Sequence, residues 1–279
     1  MRRDVKAADA IDPVVLQTHD ERELDLIANA NVQAVIYVPP VLPHWFAELA
    51  LAVRNGTFQV PRTVLSSTRR EEVDDWLEIN LPTEILRPES RHALKTDILA
   101  LLDRFVLLNN ATRFMLRILT ATPNDECGFH VDTVLPGAPA WGLLRVYNGA
   151  GTEYVLPANV TSMADFYRYL ARRERLERER RTARCEGCSQ AIAELEREIV
   201  TLDNERSFMK RPDEVLIAPS GSIVAFKHLD IRSHWSSHSK GTAWIHCSPM
   251  AGECRLVINI TAQETTPPRV LRFVHGIAH

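Results

Sequence analysis

The sequence predicts an α+β fold, in which helices gather near the N-terminus and short strands make up most of the remainder. Helical apolar spacing recurs from Trp45 to Val53 and from His92 to Leu108, and Ser67 before Arg69, Glu71 and Glu72 predicts a helix start. From residue 113 onward the runs are short, rich in β-branched residues and separated by Pro, Gly and Asn turns. Because helices and strands do not alternate, the pattern favours α+β over a doubly wound α/β fold.

The composition is that of an ordinary globular protein. Its 279 residues, 45% hydrophobic and 25% charged, allow a sizeable core in one large domain or two small ones. A net charge of −3 gives no general reason to expect nucleic acid as a partner. The N-terminal sequence lacks the apolar run of a signal peptide, and no stretch approaches the roughly 18 apolar residues that span a bilayer. The five cysteines do not form a secreted disulfide pattern, so we expect a soluble cytoplasmic protein without a membrane partner.

Two groups of strand-like runs predict the sheet core. An early run, 32–38, is rich in β-branched residues and stops at Pro39-Pro40. The later runs are 113–120, 141–148, 152–156, 214–218, 222–227, 242–248 and 254–261. Short strands at this spacing predict an antiparallel sandwich or barrel. We therefore expect a mainly helical N-terminal part, 1–110, packed on a sheet core formed by 111–161 and 207–279.

Between the strand groups, residues 162–206 are dense in helix formers and nearly free of proline. Gly187 interrupts the pattern, which predicts two antiparallel helices with Cys185 and Cys188 at the tip. This cysteine pair supplies half of a tetrahedral zinc site, which two chains could complete together as a homodimer. A redox pair and two cysteines without a partner are the alternatives. Glutamates interspersed among the arginines favour a solvated helix with i,i+4 ion pairs over nucleic-acid binding.

Histidine and aspartate residues far apart in the chain predict a metal site. Side chains alternate along a strand, so His130 and Asp132 share one face. His246, from a distant strand, would complete a face of two imidazoles and one carboxylate, which leaves open coordination positions and suits non-haem Fe(II). Arg255 follows nine residues later, where a guanidinium could bind the carboxylate of an organic co-substrate.

Three further histidines compete with His246 as the distal ligand. His234 and His238 are four residues apart, as in some helical zinc sites, but the serine-rich context with Trp235 favours a loop. His228 is the third candidate. We prefer His246 because it lies on a clear strand and has Arg255 at a suitable distance.

The alternation of the last strand decides which residues share a face with Arg255. Val257 and Asn259 are expected beside it, whereas Leu256 and Ile258 are expected on the opposite face. This arrangement permits a polar pocket around Arg255. A simple salt bridge at the strand end is the alternative for this arginine.

Five segments together resemble one known family. They are CGFHVD (127–132), RVYNGAGTEYV (145–155), AFKH (225–228), IHCSP (245–249) and RLVINI (255–260), and they resemble domain-of-unknown-function family 1826. Their order is also similar to that of the Fe(II)/2-oxoglutarate-dependent oxygenases of the cupin-like superfamily. The resemblance implies a double-stranded β-helix, or jelly-roll, over about 113–160 and 214–262. It also implies iron ligation by His130, Asp132 and His246, and binding of the 2-oxoglutarate carboxylate by Arg255.

The same resemblance implies a dioxygenase that oxidises a C–H bond of a small-molecule or peptide substrate and releases succinate and carbon dioxide. Many such oxygenases carry Ser or Thr two residues after the arginine, whereas this chain has Val257. We therefore expect a residue of another strand to bind the co-substrate carboxylate together with Arg255. The candidates are Tyr147 and Arg145. The alternative function is a non-catalytic metal-binding or metal-homeostasis protein on the same barrel, with zinc at either site.

Overall fold

The structure, a computed structural model, describes residues 13–67, 69–123, 128–134, 140–230, 238–241 and 243–261. Within these ranges a pair of long helices separates two groups of strands. The described elements are, in chain order, β1 (Val14–Thr18), a 3-10 helix (Glu21–Ala28), β2 (Val32–Tyr37), α1 (Trp45–Arg54), β3 (Thr63–Ser67), α2 (Arg70–Asn80), α3 (Pro88–Asn109), β4 (Phe114–Ala121), β5 (Thr133–Val134), β6 (Trp141–Val146), β7 (Glu153–Tyr154), a 3-10 turn (Pro157–Asn159), α4 (Met163–Glu186), α5 (Ser189–Glu205), β8 (Leu216–Ile217), β9 (Ile223–Lys227), β10 (Leu229–Asp230), β11 (His246–Cys247) and β12 (Arg255–Thr261). The predicted α+β class is confirmed.

A mixed seven-stranded sheet, called here the large sheet, has the strand order β1-β2-β9-β6-β12-β4-β3. Only β1 and β2 are parallel within it, and the other neighbours are antiparallel. The central strand β12 pairs with β4 on one side and β6 on the other. The N-terminal part expected to be mainly helical also contributes β1, β2 and β3, of which the sequence patterns predicted only β2. Both missed strands lie at the edges of the sheet, where a short apolar run is a weak signal.

A second layer consists of short strands, called here the small sheets. β11, β7 and β8 form one of them in that order, and β10 pairs with β5 in the other. A β-bridge joins His130 to His246, with the two backbone N–H···O distances at 2.9 and 3.0 Å. The segment that begins at His130 therefore extends the first small sheet on the far side of β11.

Three buried clusters show how the layers are stacked. Helices α1 to α3 pack on the outer face of the large sheet, where Leu256 and Ile258 are buried. Phe226 of the large sheet and Trp244 share a second cluster with Tyr154 of β7. The third cluster joins α4 and α5 to the other face of the small sheets. The layer order is therefore helices, large sheet, small sheets and helix pair.

The helix pair is an antiparallel hairpin of α4 and α5. Ser162 begins α4, because its side chain accepts a hydrogen bond from the backbone N–H of Asp165. Gly187 ends α4 in the left-handed conformation, with φ of 69°, which glycine adopts without a steric penalty. No described helix has the length and apolar character needed to cross a bilayer.

Candidate metal centre

Three side chains from two distant parts of the chain meet on the small-sheet side of the molecule: His130, Asp132 and His246. Each offers one ligand atom, and these atoms all lie within 4.8 Å of one another. His130 Nε2 is 3.6 Å from Asp132 Oδ1, and the centroids of the two imidazole rings are 4.5 Å apart. One ion could therefore contact all three after small side-chain rotations, since metal–nitrogen and metal–oxygen bonds are about 2.0–2.2 Å long.

Backbone pairing brings these three ligands together. The bridge between His130 and His246 sets the two histidines side by side on neighbouring strands. Asp132 lies two residues beyond His130, and its carbonyl accepts a hydrogen bond from the N–H of Leu229 at 2.8 Å. His246 is also paired with Tyr154 of β7 on its other side. The ligands thus lie on hydrogen-bonded backbone, which favours a preformed site.

The hydrogen bonds of the two imidazoles fix their tautomers. His130 Nδ1 lies 2.9 Å from the carbonyl oxygen of Gly128, and His246 Nδ1 lies 3.0 Å from that of Trp244. Because a carbonyl oxygen only accepts, each Nδ1 must carry the proton and donate it. In the neutral rings, Nε2 then keeps its lone pair for a cation. Metal-ligating histidines are commonly held by such a second hydrogen bond.

The electrostatics of the cluster also suit a cation. Burial opposes ionisation of Asp132, but His246, His130, His228 and Arg117 outweigh it and lower the pKa of its carboxyl to about 2. Burial, together with His130, lowers the pKa of His246 to about 4, against the attraction of Asp132. At neutral pH the cluster therefore offers an ionised carboxylate and an uncharged imidazole, which are the forms that bind metal.

An aromatic wall lines one side of the candidate centre. The Trp244 ring stacks on His246 with centroids 4.5 Å apart, and Phe226 lies 5.5 Å from the same imidazole. Gly142 leaves room for this packing, because a Cβ at that position would come within 2.6 Å of both Phe226 and His228. Trp244 Nε1 is buried without a hydrogen-bond partner among the described residues.

Arg255 lies on the face of β12 that turns towards the small sheets. Val257 on the same face packs in the cluster of Phe226 and Trp244, as the alternation predicted. Arg255 is only 2% exposed, and its Nη1 donates to the carbonyl of Ala150 at 2.9 Å. Its Nε has no hydrogen-bond partner among the described residues. Burial lowers the pKa of this guanidinium, and Glu153 offsets only part of the effect. Arg255 is thus a buried cation with an unused donor.

Arg145 and Tyr147 lie on the opposite face of the large sheet. In the strand register Arg145 stands beside Ile258, whose face is covered by the helices. Arg145 Nη1 donates to Asp97 of α3 at 2.9 Å, and the Tyr147 hydroxyl donates to the same carboxylate at 2.7 Å. The structure therefore does not bring these two residues together with Arg255.

The competing histidines have different surroundings. His228 adjoins the centre, because it contributes to the electrostatics of Asp132 and packs edge-on against Phe226. His238 instead forms a hydrogen bond with the hydroxyl of Tyr167 on α4. His234 lies outside the described residues. Among the described residues, the cluster that could hold a metal ion contains His246.

One residue near the centre was missed by the sequence patterns. Arg117 on β4 acts electrostatically on Asp132, and it stands directly opposite Asn259 in the register of β4 and β12. Asn259 Oδ1 is buried and has no hydrogen-bond partner among the described residues. Alternation along β4 indicates that Arg117 and Leu119 share a face. The sequence near Arg117 does not predict that β4 pairs with the distant strand β12, so it does not predict that Arg117 lies near Asp132.

The cysteine pair is separate from this centre. Cys185 lies in the last turn of α4 and Cys188 directly before α5, with Gly187 between them at the tip of the hairpin. Both thiols are free and exposed.

The fold and the centre define an α+β protein with a His-Asp-His cluster that could hold a metal ion. The chain belongs to the family described as protein of unknown function (DUF1826), whose family model matches residues 18–260. No significant match to a curated protein was found.

Two solved structures show distant similarity to the chain. A dioxygenase for auxin oxidation (DAO) in rice is 14% identical, with a TM-score of 0.39 and coverage of 90% of this chain and 82% of that one. AviO1 from Streptomyces viridochromogenes Tue57 is 10% identical, with a TM-score of 0.37 and coverage of 90% and 98%. Similarity at this level does not establish a shared activity.

Proposed function

We propose that the protein is a non-haem Fe(II)-dependent dioxygenase-like enzyme that uses 2-oxoglutarate to oxidise a small-molecule or peptide substrate. The observation that carries this proposal is the convergence of His130, Asp132 and His246 with both Nδ1 atoms held by backbone carbonyls. Two imidazoles and one carboxylate leave open positions for co-substrate and dioxygen, whereas structural zinc sites are closed by four ligands. Iron with 2-oxoglutarate would supply the activation of dioxygen at this face.

The strand order supports a double-stranded β-helix as the frame of this site. β4, β12, β6 and β9 are contiguous in the large sheet. The His130 segment, β11, β7 and β8 are contiguous in the facing layer. From β4 onward the chain passes repeatedly between these two layers, and this path supports the proposed jelly-roll.

In this proposal Arg255 binds the distal carboxylate of 2-oxoglutarate. Its burial and its unused Nε donor support that role, because a carboxylate would neutralise a cation that donates to the carbonyl of Ala150 and forms no carboxylate salt bridge within the described part of the chain. Trp244 and Phe226 pack against the His246 ring and would restrict the access of water to it. The alternative is a non-catalytic metal-binding or metal-homeostasis protein, which is favoured by Val257 at the position where a hydroxyl would share the carboxylate.

Iron binding and succinate formation test the proposal. The protein, prepared metal-free, should bind one equivalent of Fe(II) and form succinate from 2-oxoglutarate under air only when Fe(II) is present. The double variant His130→Ala, Asp132→Ala should lose both properties, whereas His238→Ala, outside the cluster, should keep them. Stoichiometric iron binding retained in the double variant would contradict the assignment. Binding without succinate would support the alternative.

The hairpin tip carries a second proposal, zinc binding between two copies of the chain. Cys185 and Cys188 are exposed and free, and two such pairs complete a tetrahedral Cys₄ site. We expect the Cys185→Ser, Cys188→Ser variant to lose zinc and to fall from dimer to monomer mass. Cys254→Ser is the control, because Cys254 lies outside the hairpin. Unchanged zinc content and mass in the tip variant would end this proposal.

A further inference from the structure

The backbone that precedes His130 is attached to the helix hairpin. The N–H of Phe129 donates to the hydroxyl oxygen of Tyr169 at 3.1 Å, and this hydroxyl donates to Asp203 Oδ1 at 2.6 Å. The Phe129 ring packs edge-to-face on Phe208, with centroids 5.7 Å apart. A single hydroxyl of α4 thus links the residue next to a candidate metal ligand to a carboxylate of α5.

That carboxylate is itself rigidly held. Arg173 Nε lies 2.9 and 3.0 Å from the two oxygens of Asp203, and Arg173 Nη2 donates to Oδ2 at 2.9 Å. Both side chains are buried, with Asp203 only 2% exposed. A planar guanidinium that binds a carboxylate with several charge-assisted bonds fixes its direction as well as its distance. The acceptor of the Tyr169 proton therefore has little freedom to move.

Gly128 provides a second contact between the hairpin and the backbone that precedes His130. A Cβ on Gly128 would lie 2.2 Å from Arg173 Nε and 2.4 Å from the Tyr169 hydroxyl oxygen, so the backbone lies directly against these two side chains. The carbonyl of the same glycine accepts the hydrogen bond from His130 Nδ1. The hairpin thus contacts the residue that fixes the tautomer and direction of the imidazole.

We infer that Tyr169, Arg173 and Asp203 are positioning residues for His130, and that the hairpin serves as the rear support of the metal centre. The inference rests on the proposed metal site and adds a role for the hairpin to it. It requires no contact between the hairpin and the ion. Groups that orient a metal-ligating histidine typically contribute about 10- to 100-fold to metal affinity.

Tyr169→Phe is the direct test, because it removes the hydroxyl and keeps the buried ring. In the metal-free protein, the amide of Phe129 should exchange with solvent faster than in the wild type. In a titration with Co(II), a spectroscopic stand-in for Fe(II), the affinity should fall about 10- to 100-fold. The visible absorption bands of bound Co(II) should also change, because the direction of the imidazole is less well defined.

A matched control separates positioning from general loss of hairpin stability. Leu176 is an apolar side chain buried in the same hairpin and in the same cluster as Phe129. Its truncation removes apolar packing but no hydrogen bond to the backbone of residues 128–130. Leu176→Ala should lower the urea midpoint at least as much as Tyr169→Phe while Co(II) affinity stays at the wild-type value. Gly128→Ala provides a second variant, because the added Cβ would clash with Arg173 and Tyr169 and displace the backbone of residue 128. It should weaken Co(II) binding like Tyr169→Phe.

The outcomes distinguish this inference from the proposed function. Wild-type affinity in Tyr169→Phe, or an equal loss in Leu176→Ala, would overturn the positioning role and leave the metal site intact. If the His130→Ala, Asp132→Ala variant binds Co(II) as the wild type does, the proposed metal site fails instead. The exchange rate of the Phe129 amide then still tests the hairpin support, and an unchanged rate in Tyr169→Phe would overturn it.

Discussion

The two faces of the large sheet each have a carboxylate nearby, and the two carboxylates have opposite surroundings. On the helix-covered side, Asp97 accepts hydrogen bonds from Arg145 and Tyr147. On the side of the small sheets, Asp132 lies among imidazoles, with His130 Nε2 at 3.6 Å. A carboxylate saturated by strong donors is part of the scaffold. A carboxylate surrounded by imidazole nitrogens that carry lone pairs is suited to binding a cation.

The arginines of the two faces differ in the same way. Arg145 is paired with Asp97, and its guanidinium lies 5.2 Å from the ring centroids of both Phe46 and Tyr147. Arg255 donates to the carbonyl of Ala150, and no carboxylate salt bridge to it is found among the described residues. Residue type alone therefore does not distinguish an arginine of the structural scaffold from one of the candidate site. The two arginines differ in whether the guanidinium has a carboxylate partner.

The largest expected effect is the loss of stability when the scaffold carboxylate is removed. Asp97→Ala leaves the buried Arg145 and Tyr147 donors without their acceptor, so we expect a loss of about 3 kcal/mol in the free energy of unfolding. Urea denaturation of the metal-free protein measures it. Fe(II) binding should be unchanged in the folded variant.

Asp132→Ala is the matched variant on the other face. It should abolish Fe(II) binding and cost less metal-free stability than Asp97→Ala, because no arginine or tyrosine hydrogen bond to Asp132 is found among the described residues. If Asp132→Ala proved the more destabilising of the two, Asp132 would belong to the scaffold and the contrast between the faces would fail.

Much of this contrast follows from the sequence, because side chains alternate along a strand. The period of two predicted that His130 and Asp132 share a face, and that Leu256 and Ile258 face away from Arg255. It could not predict the faces of Arg145 and Arg117, because these depend on which residues of β12 stand beside them. Register between strands more than 100 residues apart is set by packing of the whole sheet, and a local pattern does not contain it.

The second expected effect concerns co-substrate affinity. Arg255→Gln keeps a polar side chain but removes the charge, so the affinity for 2-oxoglutarate should fall about 10- to 100-fold, as for loss of a charge-assisted hydrogen bond. Titration with 2-oxoglutarate in the presence of Mn(II), without dioxygen, measures binding apart from turnover. Arg145→Lys, which keeps a cation beside Asp97, should bind 2-oxoglutarate like the wild type. A loss in Arg145→Lys together with none in Arg255→Gln would reverse the roles of the two faces.

The smallest expected effect is a gain in affinity for 2-oxoglutarate. It tests whether a hydroxyl beside Arg255 would help to bind the carboxylate. Thr has nearly the shape of Val, so Val257→Thr should preserve the packing beside Phe226 and Trp244 while adding a donor two residues from Arg255. Because Arg255 would already neutralise the carboxylate, we expect the added hydroxyl to contribute as an ordinary hydrogen bond, about 0.5–1.5 kcal/mol, which corresponds to a roughly 2- to 10-fold gain in 2-oxoglutarate affinity. Ile258→Thr adds a hydroxyl to the adjacent residue on the helix-covered face, where burial should cost about 1–3 kcal/mol of stability without any gain in affinity. If Val257→Thr binds 2-oxoglutarate no more tightly than the wild type, the carboxylate does not lie beside residue 257. Arg117 and Asn259 then become the better candidates to share the carboxylate with Arg255, because they stand opposite each other on the same face of the sheet.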